Sequence, residues 1–169
     1  IFMATGKRNK LTGQIGEHLV SAILGTMGFY ASPYSGNVPE FDITAVNSET
    51  LKSFPVQVKT SNGGALIRAD IKKWAELEIK ENGCQYLGAP LSLPNLDMIW
   101  VMVHIQNDDI KTARFFVCTK KQMQKKLIDD YRRALDRFNN RRPRNSNSTQ
   151  SLLRINDLEE FENNWGILG

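Results

Sequence analysis

Cysteine and histidine are scarce in this chain. Its 169 residues include two cysteines, Cys84 and Cys118, and two histidines, His18 and His104. No CxxC pair and no Cys/His cluster with zinc-ligand spacing is present, which excludes a disulfide framework and a zinc site. We therefore expect a reducing compartment, the cytoplasm. Catalysis by histidine is disfavoured, because only two histidines are present and His104, at the end of an apolar run, is typical of a core or strand-edge histidine.

Long apolar segments and the common catalytic motifs are also missing. Apolar runs such as Met98–Ile105 are far shorter than the ~20 residues that cross a bilayer, and no basic-then-apolar leader opens the chain. We expect neither a membrane segment nor secretion. The chain has no Walker loop, no GxGxxG after a strand, no GxSxG and no HExxH, so these familiar sites are excluded.

The length and composition are those of one globular domain. The chain has a mass of 19.2 kDa, with 41% hydrophobic and 24% charged residues. Ile1 and Phe2 before Met3 are typical of an expression-tag remnant. We predict a tag remnant and basic N-terminal arm over 1–11, then a single domain over 12–169 in which the polar segment 139–150 is a mobile loop.

Positive charge is concentrated late in the chain. Residues 120–144 contain ten basic residues and three Asp, a local charge of +7, whereas the whole chain is +4, so the remainder is −3. This asymmetry favours a surface that faces a polyanion, although a solvated helix running into a disordered loop explains it equally well. On the first interpretation, the phosphate-contacting residues are Lys120, Lys121, Lys125, Lys126, Arg132, Arg133 and Arg137.

Hydrophobic periodicity predicts a mixed α/β fold. Helical spacing predicts helices over 12–28, with Thr12 as the N-cap, over 70–82, with Asp70 as the cap, and over 120–138. Alternating or continuous apolar residues predict strands over 40–46, 54–60, 98–105 and 113–118. We expect the first two strands to form a hairpin and the last two to pair antiparallel.

The remaining segments complete this outline. Residues 83–97 contain Gly and two Pro with little periodicity, which predicts a loop. Residues 152–155 are expected to form a short edge strand, followed by an acidic helix capped by Asn156 with Glu159 in the capping-box position. The order of the elements predicts a mixed sheet flanked by helices.

Four polar residues stand at unexpected positions. Glu17 interrupts the first helix beside Gly13 and Gly16, Asp42 lies inside a predicted strand, and Gln57 and Lys59 share one strand face. Same-face residues opposed across a strand pair lie about 5 Å apart, so Asp42, Gln57 and Lys59 are expected to converge. The two glycines would let the helix approach the sheet and bring Glu17 near.

This patch has a chemical use. A carboxylate, an amide oxygen and a backbone carbonyl form a hard-oxygen site suited to Mg²⁺ or Mn²⁺. Such an ion polarises a phosphoryl oxygen and activates water. The alternative is an ordinary alternating strand whose outer face is polar.

The same residues form a recognisable pattern. Pro39-Glu40-Phe41-Asp42, separated by fourteen residues from Gln57-Val58-Lys59, resembles the bipartite signature of the PD-(D/E)xK nuclease superfamily. The segment Gly16-Glu17-His18-Leu19-Val20 and the turn at Ser35-Gly36 resemble archaeal Holliday-junction resolvases and related restriction-endonuclease-like proteins. Gln57 replaces the commonest carboxylate, and this QxK variant resembles the Mrr-like branch. The similarity covers about the first third of the chain, 12–61.

The resemblance implies a fold and a site. The fold is restriction-endonuclease-like, a three-layer α/β/α arrangement with a central mixed β-sheet. Asp42 would be a metal ligand, Lys59 the catalytic lysine, Glu17 a ligand or water-positioning residue, and the Val58 carbonyl a further ligand. Gln57 would be a neutral ligand, so we expect weaker metal binding or a greater need for Glu17. The implied function is an Mg²⁺-dependent DNA endonuclease, with Mn²⁺ as a possible substitute.

Partners and biological role stay open at this point. A homodimer is expected, because a small nuclease cuts two strands by pairing two copies. The role is restriction, phage or mobile-element defence, or junction resolution. One alternative is a catalytically weak or inactive nucleic-acid-binding or protein-interaction module with the same fold. Another is a subunit of a larger defence or repair complex, with Trp74, Trp100 and Trp165 as anchors if they are not core residues.

Overall fold

The computed structural model of the protein describes residues 5–34 and 40–168. The predicted turn at 35–37 and Pro39 of the predicted motif lie outside the described residues. In chain order, the main elements are α1 (Thr5–Thr26), β1 (Phe29–Pro33), β2 (Ile43–Asn47), β3 (Ser53–Asn62), β4 (Ile67–Asp70), β5 (Ala75–Ile79), β6 (Gln85–Pro90), β7 (Ile99–Gln106), β8 (Asp109–Thr119), α2 (Lys120–Arg137), β9 (Gln150–Leu153) and α3 (Ile155–Leu158). Short 3-10 turns cover Ile71–Lys73, Glu159–Phe161 and Trp165–Leu168.

A five-stranded mixed sheet forms the centre of the molecule, in the order β1-β2-β3-β7-β8. β3 and β7 run parallel, and the other neighbouring pairs run antiparallel. The predicted hairpin of β2 and β3 and the predicted antiparallel pair of β7 and β8 are confirmed. The turn between β7 and β8 places Asn107 at φ +54° and Asp108 at φ +60°, the backbone of a type I′ hairpin turn.

The sheet separates two hydrophobic cores because successive strand residues point to opposite faces. On one face, Val20 of α1 packs in a cluster with Val101 and Val103. On the other face, Trp100 and Met102 pack in a cluster with residues of α2 and the small sheets β4–β9 and β5–β6. The predicted three-layer α/β/α architecture with a central mixed sheet is thereby confirmed.

Several predicted core residues lie where they were expected. Trp74 and Trp100 are buried in the α2-side core, with their rings 5.7 Å apart in an edge-to-face arrangement. His104 is only 2% exposed, and its Nδ1 lies 3.2 Å from the Ser61 hydroxyl. Burial raises the pKa of the Cys118 thiol to about 12, so this cysteine is an unreactive core residue. Among the described helices, none is long and apolar enough to cross a membrane.

Helix α1 begins earlier and buries a different stripe than predicted. It starts at Thr5, and the Thr12 hydroxyl donates to the Arg8 carbonyl inside the helix instead of capping it. The predicted basic arm is therefore, from Thr5 onward, the first two turns of α1. Leu11 and Met27, two of the apolar residues at helical spacing that indicate this helix, are about 40% exposed. The buried stripe is instead Thr12, Gly16, Val20 and Leu24.

The helix predicted over 70–82 is wrong, and so is the loop predicted over 83–97. Asp70 does cap a helical turn, accepting from the Lys72 amide, but the turn ends after three residues. From Ala75, buried and exposed residues alternate, which is the period of a strand. β5 then pairs with β6 across a turn at Gly83, whose φ of +79° favours glycine.

The C-terminal third matches the prediction in α2 and departs from it afterwards. α2 begins at a capping box formed by Thr119 and Gln122. The polar segment 139–150 contacts the core, because the Tyr131 hydroxyl donates to the Ser148 carbonyl at 2.9 Å; its mobility stays a prediction. β9 ends at Leu153, and the last helix is only four residues long. Its capping contact runs from the Arg154 amide to the carboxylate of Asp157, so Asn156 and Glu159 do not cap it.

Candidate metal-binding active site

Asp42 lies at the point where strand β2 begins. The β2–β3 register starts with Ile43 opposite Val56, and the Asp42 amide donates to the Val56 carbonyl at 2.9 Å. The Asp42 carboxylate oxygen Oδ2 then accepts the backbone N–H of Val58 at 2.7 Å. The Asp42 carboxylate thus accepts the Val58 N–H in place of a backbone carbonyl of β2. This bond fixes the carboxylate against the middle of β3.

Gln57 completes a small polar cluster with Asp42. Its side chain is 6% exposed, and its Nε2 donates to Asp42 Oδ2. The same Nε2 lies 3.5 Å from the Val58 carbonyl oxygen. A carboxylate and a carbonyl are both acceptors, so only the NH₂ end of an amide is favourable between them. The Gln57 amide group therefore lies where two oxygens converge, as they would around a cation.

Glu17 and Lys59 join this cluster from α1 and β3. Partial burial is the main cause that raises the pKa of Glu17, and the Asp42 carboxylate raises it further. His18 and Lys59 act in the opposite sense and lower the pKa of Glu17. Two carboxylates are thus close enough to repel each other, with an exposed ammonium beside them. The structure joins Asp42 and Gln57 by a hydrogen bond and places Glu17 within electrostatic range of Asp42 and Lys59. The roles of all four residues stay predictions.

Gly16 explains how α1 reaches the site. A Cβ at Gly16 would overlap the side chain of Thr60 on β3, whose Cβ would be 2.9 Å away. Only glycine allows the helix backbone to lie on the strand this closely, and Glu17 follows directly. The same role predicted for Gly13 is wrong, because a Cβ there meets no atom within 4 Å.

The donor set fits a hard divalent cation. Asp42, Glu17, the Gln57 amide oxygen and the Val58 carbonyl supply only oxygen atoms, the donors that Mg²⁺ and Mn²⁺ prefer. Within 5–34 and 40–168, no group of three or more His, Cys, Asp or Glu residues could hold a metal. The site thus depends on two carboxylates and a neutral amide, and the amide must turn its oxygen inward to contribute.

The predicted phosphate-contacting surface on α2 is largely paired with carboxylates. Lys125 pairs with Asp129, Lys126 with Glu160, Arg132 with Asp129, and Arg133 with both Asp130 and Asp157. The Lys120 ammonium donates to the Pro94 carbonyl at 2.9 Å, and the Arg137 guanidinium lies 5.7 Å from the Phe138 ring centroid. In the described part of the chain, Lys121 and Arg137 have no carboxylate within 4 Å. The DNA contacts assigned to these seven residues stay predictions.

A groove that the sequence analysis did not find opens beside the cluster. A cavity of about 630 Å³ is lined by Thr60, which follows Lys59, and by Arg8 and Arg68. Arg8 belongs to the basic N-terminal arm, which together with Lys7 and Lys10 could extend the predicted phosphate-contacting surface, whereas no prediction includes Arg68. No local signal marks them, because pairing between distant strands brings them together.

Comparisons with known proteins find only distant likenesses. No protein-family model matches the chain, and no curated protein sequence matches it. A bacterial homing endonuclease superposes with a TM-score of 0.49 and 14% identity, over 94% of this chain and 91% of that protein. A Holliday junction resolvase from the archaeal hyperthermophile Archaeoglobus fulgidus gives a TM-score of 0.38 and 14% identity, over 88% and 93%. Likeness this distant does not identify a function, so function must come from the geometry of the site.

Proposed function

We propose that this protein is a divalent-cation-dependent endonuclease that hydrolyses phosphodiester bonds in DNA. One observation supports this most: two carboxylates, a buried amide, a strand carbonyl and a lysine lie near one another around the middle of β3. Two carboxylates beside a single lysine leave a net negative charge, which a bound cation would neutralise. The order of these residues along the chain is also that of the PD-(D/E)xK signature that the sequence resembles.

Each residue of the site has a separate role in hydrolysis. Asp42, the Val58 carbonyl and Gln57 would hold the cation, with Glu17 as the second carboxylate. The bound ion supplies Lewis-acid chemistry, polarising a phosphoryl oxygen and lowering the pKa of water. Lys59 is exposed beside the carboxylates, where its ammonium neutralises charge that develops on the phosphate.

The amide of Gln57 determines how readily the site accepts an ion. Its NH₂ group donates to Asp42 and faces the Val58 carbonyl, so it occupies the position between the two oxygens. Turning the amide would replace that donor with a third oxygen, which is favourable only when a cation is present. We therefore expect weak cation binding compared with a site that has a third carboxylate.

A second candidate function rests on this same hydrogen bond. Because Gln57 satisfies Asp42 without any ion, the fold would also serve as a nucleic-acid-binding module without activity. The position of the Glu17 carboxylate near Asp42 favours the enzyme, because a module that binds no cation would gain nothing from a second negative charge there. Homodimerisation, a larger complex, and a role in restriction, defence or junction resolution are further predictions.

Cleavage of plasmid DNA in Mg²⁺ or Mn²⁺ tests the proposal. Asp42→Asn and Lys59→Met should each lower the cleavage rate about a thousandfold, because each removes a charge at the reacting phosphate. The matched control is Asp129→Asn on α2, which removes a carboxylate that pairs with Lys125 and Arg132 and should cut at the normal rate. Undiminished cleavage by Asp42→Asn, or cleavage that persists in EDTA, would contradict the proposal.

A further inference from the structure

A polar groove continues from the candidate site across the ends of β3 and β7. The 630 Å³ cavity and a neighbouring cavity of about 450 Å³ share Arg8, Asn62 and Gly63 as lining residues. The first begins at Thr60, which contacts α1 at Gly16, one residue before Glu17. The groove therefore lies along the part of β3 that directly follows Lys59, because Thr60, Ser61 and Asn62 line it.

The floor of the groove is backbone kept open by glycine. β3 and β7 are parallel neighbours up to Asn62 opposite Ile105, and the Gly63 amide donates to the Ile105 carbonyl at 2.9 Å. Gly63 and Gly64 have φ of +77° and +76°, and a Cβ at either would meet no atom within 4 Å. In open α/β sheets, ligands bind where parallel strands end.

Two arginines line the groove, one on each side. On one side, Arg8 of α1 pairs with Asp108 at 2.8 Å, and Asp108 also accepts from the Asn62 side chain. Both members of this pair are more than half exposed, so a phosphate can replace Asp108 with little loss. On the other side, Arg68 of β4 is exposed and, within the described ranges, has no carboxylate within 4 Å.

The rest of the lining is rich in amides. Asn9, Asn62, Gln106 and Asn107 line the two cavities. Amide side chains both donate and accept hydrogen bonds, and they are common partners of DNA sugars, phosphates and base edges. The cations of α2, by contrast, are mostly held by carboxylates of the chain itself. Two arginines beside side-chain amides, above an open glycine backbone, are suited to a polynucleotide.

We infer that this groove, and not the surface of α2, holds the DNA that reaches the site. Arg8 and Arg68 bind successive backbone phosphates, and the amides between them contact sugars and base edges. The inference rests on the proposed function in one respect, because it takes DNA as the ligand. It adds where the DNA lies and which residues bind it.

Binding and cleavage can be measured separately, so failure of one is distinct from failure of the other. The binding protein is the full chain with Asp42→Asn, titrated against a fluorescent DNA duplex in EDTA and followed by anisotropy. Arg8→Gln with Arg68→Gln should weaken binding at least tenfold and flatten the salt dependence by about two phosphate contacts. The control pair, Lys125→Gln with Arg132→Gln, removes the same charge from α2 and should change affinity less than twofold.

Two further variants guard against misfolding. Arg8→Lys with Arg68→Lys keeps the charge and should retain most of the affinity, so a loss in the Gln pair cannot be general damage. The inference is overturned if the parent does not bind DNA, if the Arg-to-Gln pair binds normally, or if the α2 pair loses as much affinity. Plasmid cleavage by the wild-type chain tests the proposed function independently. If the wild-type chain cuts normally and the Arg-to-Gln pair binds DNA normally, this inference alone is contradicted.

Discussion

The two helical layers of the protein carry charge in opposite ways. On α2, basic residues alternate with acidic ones, and Lys125, Arg132 and Arg133 have carboxylate partners three or four residues away. On the α1 side, Glu17 and Asp42 lie near each other, and the pKa of Glu17 is raised first by its partial burial and then by repulsion from Asp42. Carboxylates of α2 and of nearby segments neutralise most cations of the first surface, whereas on the second surface Lys59 is the counter-charge to two carboxylates, and an external cation would balance the remainder.

This difference shows which charges indicate function. Exposed pairs at i,i+3 and i,i+4 spacing contribute a few tenths of a kcal/mol each and keep a helix soluble. A high density of lysine and arginine in the sequence therefore does not by itself indicate a binding surface, because neighbouring carboxylates can neutralise it. A pair of acids beside a central strand is rarer and has no comparable structural use. We expect substitutions on the α1 side to change activity and those on α2 to change little.

The largest effect should come from the contact that brings α1 to the sheet. Gly16→Ala should destabilise the protein by about 1–3 kcal/mol, since its Cβ would overlap Thr60 and overpacking carries penalties of this size. Displacing α1 should also lower cleavage, because Glu17 moves with it. The free energy of unfolding, from urea titration, checks the first effect.

Gly13→Ala on the same helix is the matched control. A Cβ at Gly13 has open space, so the exchange should stabilise the helix by up to about 1 kcal/mol. If Gly16→Ala were as stable as Gly13→Ala, the close approach of α1 to β3 would be wrong.

A smaller effect is expected from adding a negative charge at the position of the buried Gln57 amide. Gln57→Glu should tighten Mn²⁺ binding about tenfold in calorimetry, because it adds a third carboxylate and removes the competing NH₂ donor. Without metal, the same variant should melt at a lower temperature than the wild type, since three carboxylates repel one another. Gln14→Glu adds the same charge at an exposed position of α1 and should change neither quantity. Weaker Mn²⁺ binding by Gln57→Glu would contradict a ligand role for Gln57.

The smallest effect concerns the pH dependence of stability. The raised pKa of Glu17 means that its ionisation opposes folding. Its contribution to stability is full below the unfolded-state pKa, near 4.5, and is lost as the pH rises through the folded-state pKa. Glu17→Gln should therefore stabilise the metal-free protein at pH 7, with a gain that disappears near pH 4.

The control for this prediction lies on the other side of the sheet. Glu160 pairs with Lys126 of α2, so Glu160→Gln removes an attraction and should give no gain at pH 7. Equal responses of the two variants, in urea titrations across the pH range, would remove the distinction between the layers.

The sequence predicted most of the central sheet because the pattern there is local. β7 is a nearly continuous apolar run, and the alternation around Val56 and Val58 is that of a strand, so the register that unites Asp42 with Gln57 followed from the hairpin. The prediction for residues 70–90 was wrong because Ile71, Trp74 and Leu77 fit helical spacing as well as the observed turn and strand. Short strands of a two-stranded sheet leave only a weak periodic signal.

The parts of the site that could not be predicted depend on packing between distant segments. The position of Glu17 was anticipated through Gly16, yet only the fold shows that Gly13 is not needed for it. The groove depends on the parallel pairing of β3 with β7 and on Arg68 of β4, which no local pattern predicts. The orientation of the Gln57 amide follows from two acceptors that meet only in three dimensions.

A crystal structure of the protein grown with Mn²⁺ tests the central claim most directly. We predict one anomalous-scattering peak within about 2.5 Å of the Asp42 carboxylate and the Val58 carbonyl, with the Gln57 amide oxygen turned toward it. The Asp42→Asn protein under the same conditions should lack this peak. Mn²⁺ bound elsewhere, or no peak with the Gln57 NH₂ still on Asp42 at saturating Mn²⁺, would show that these residues do not form a cation site.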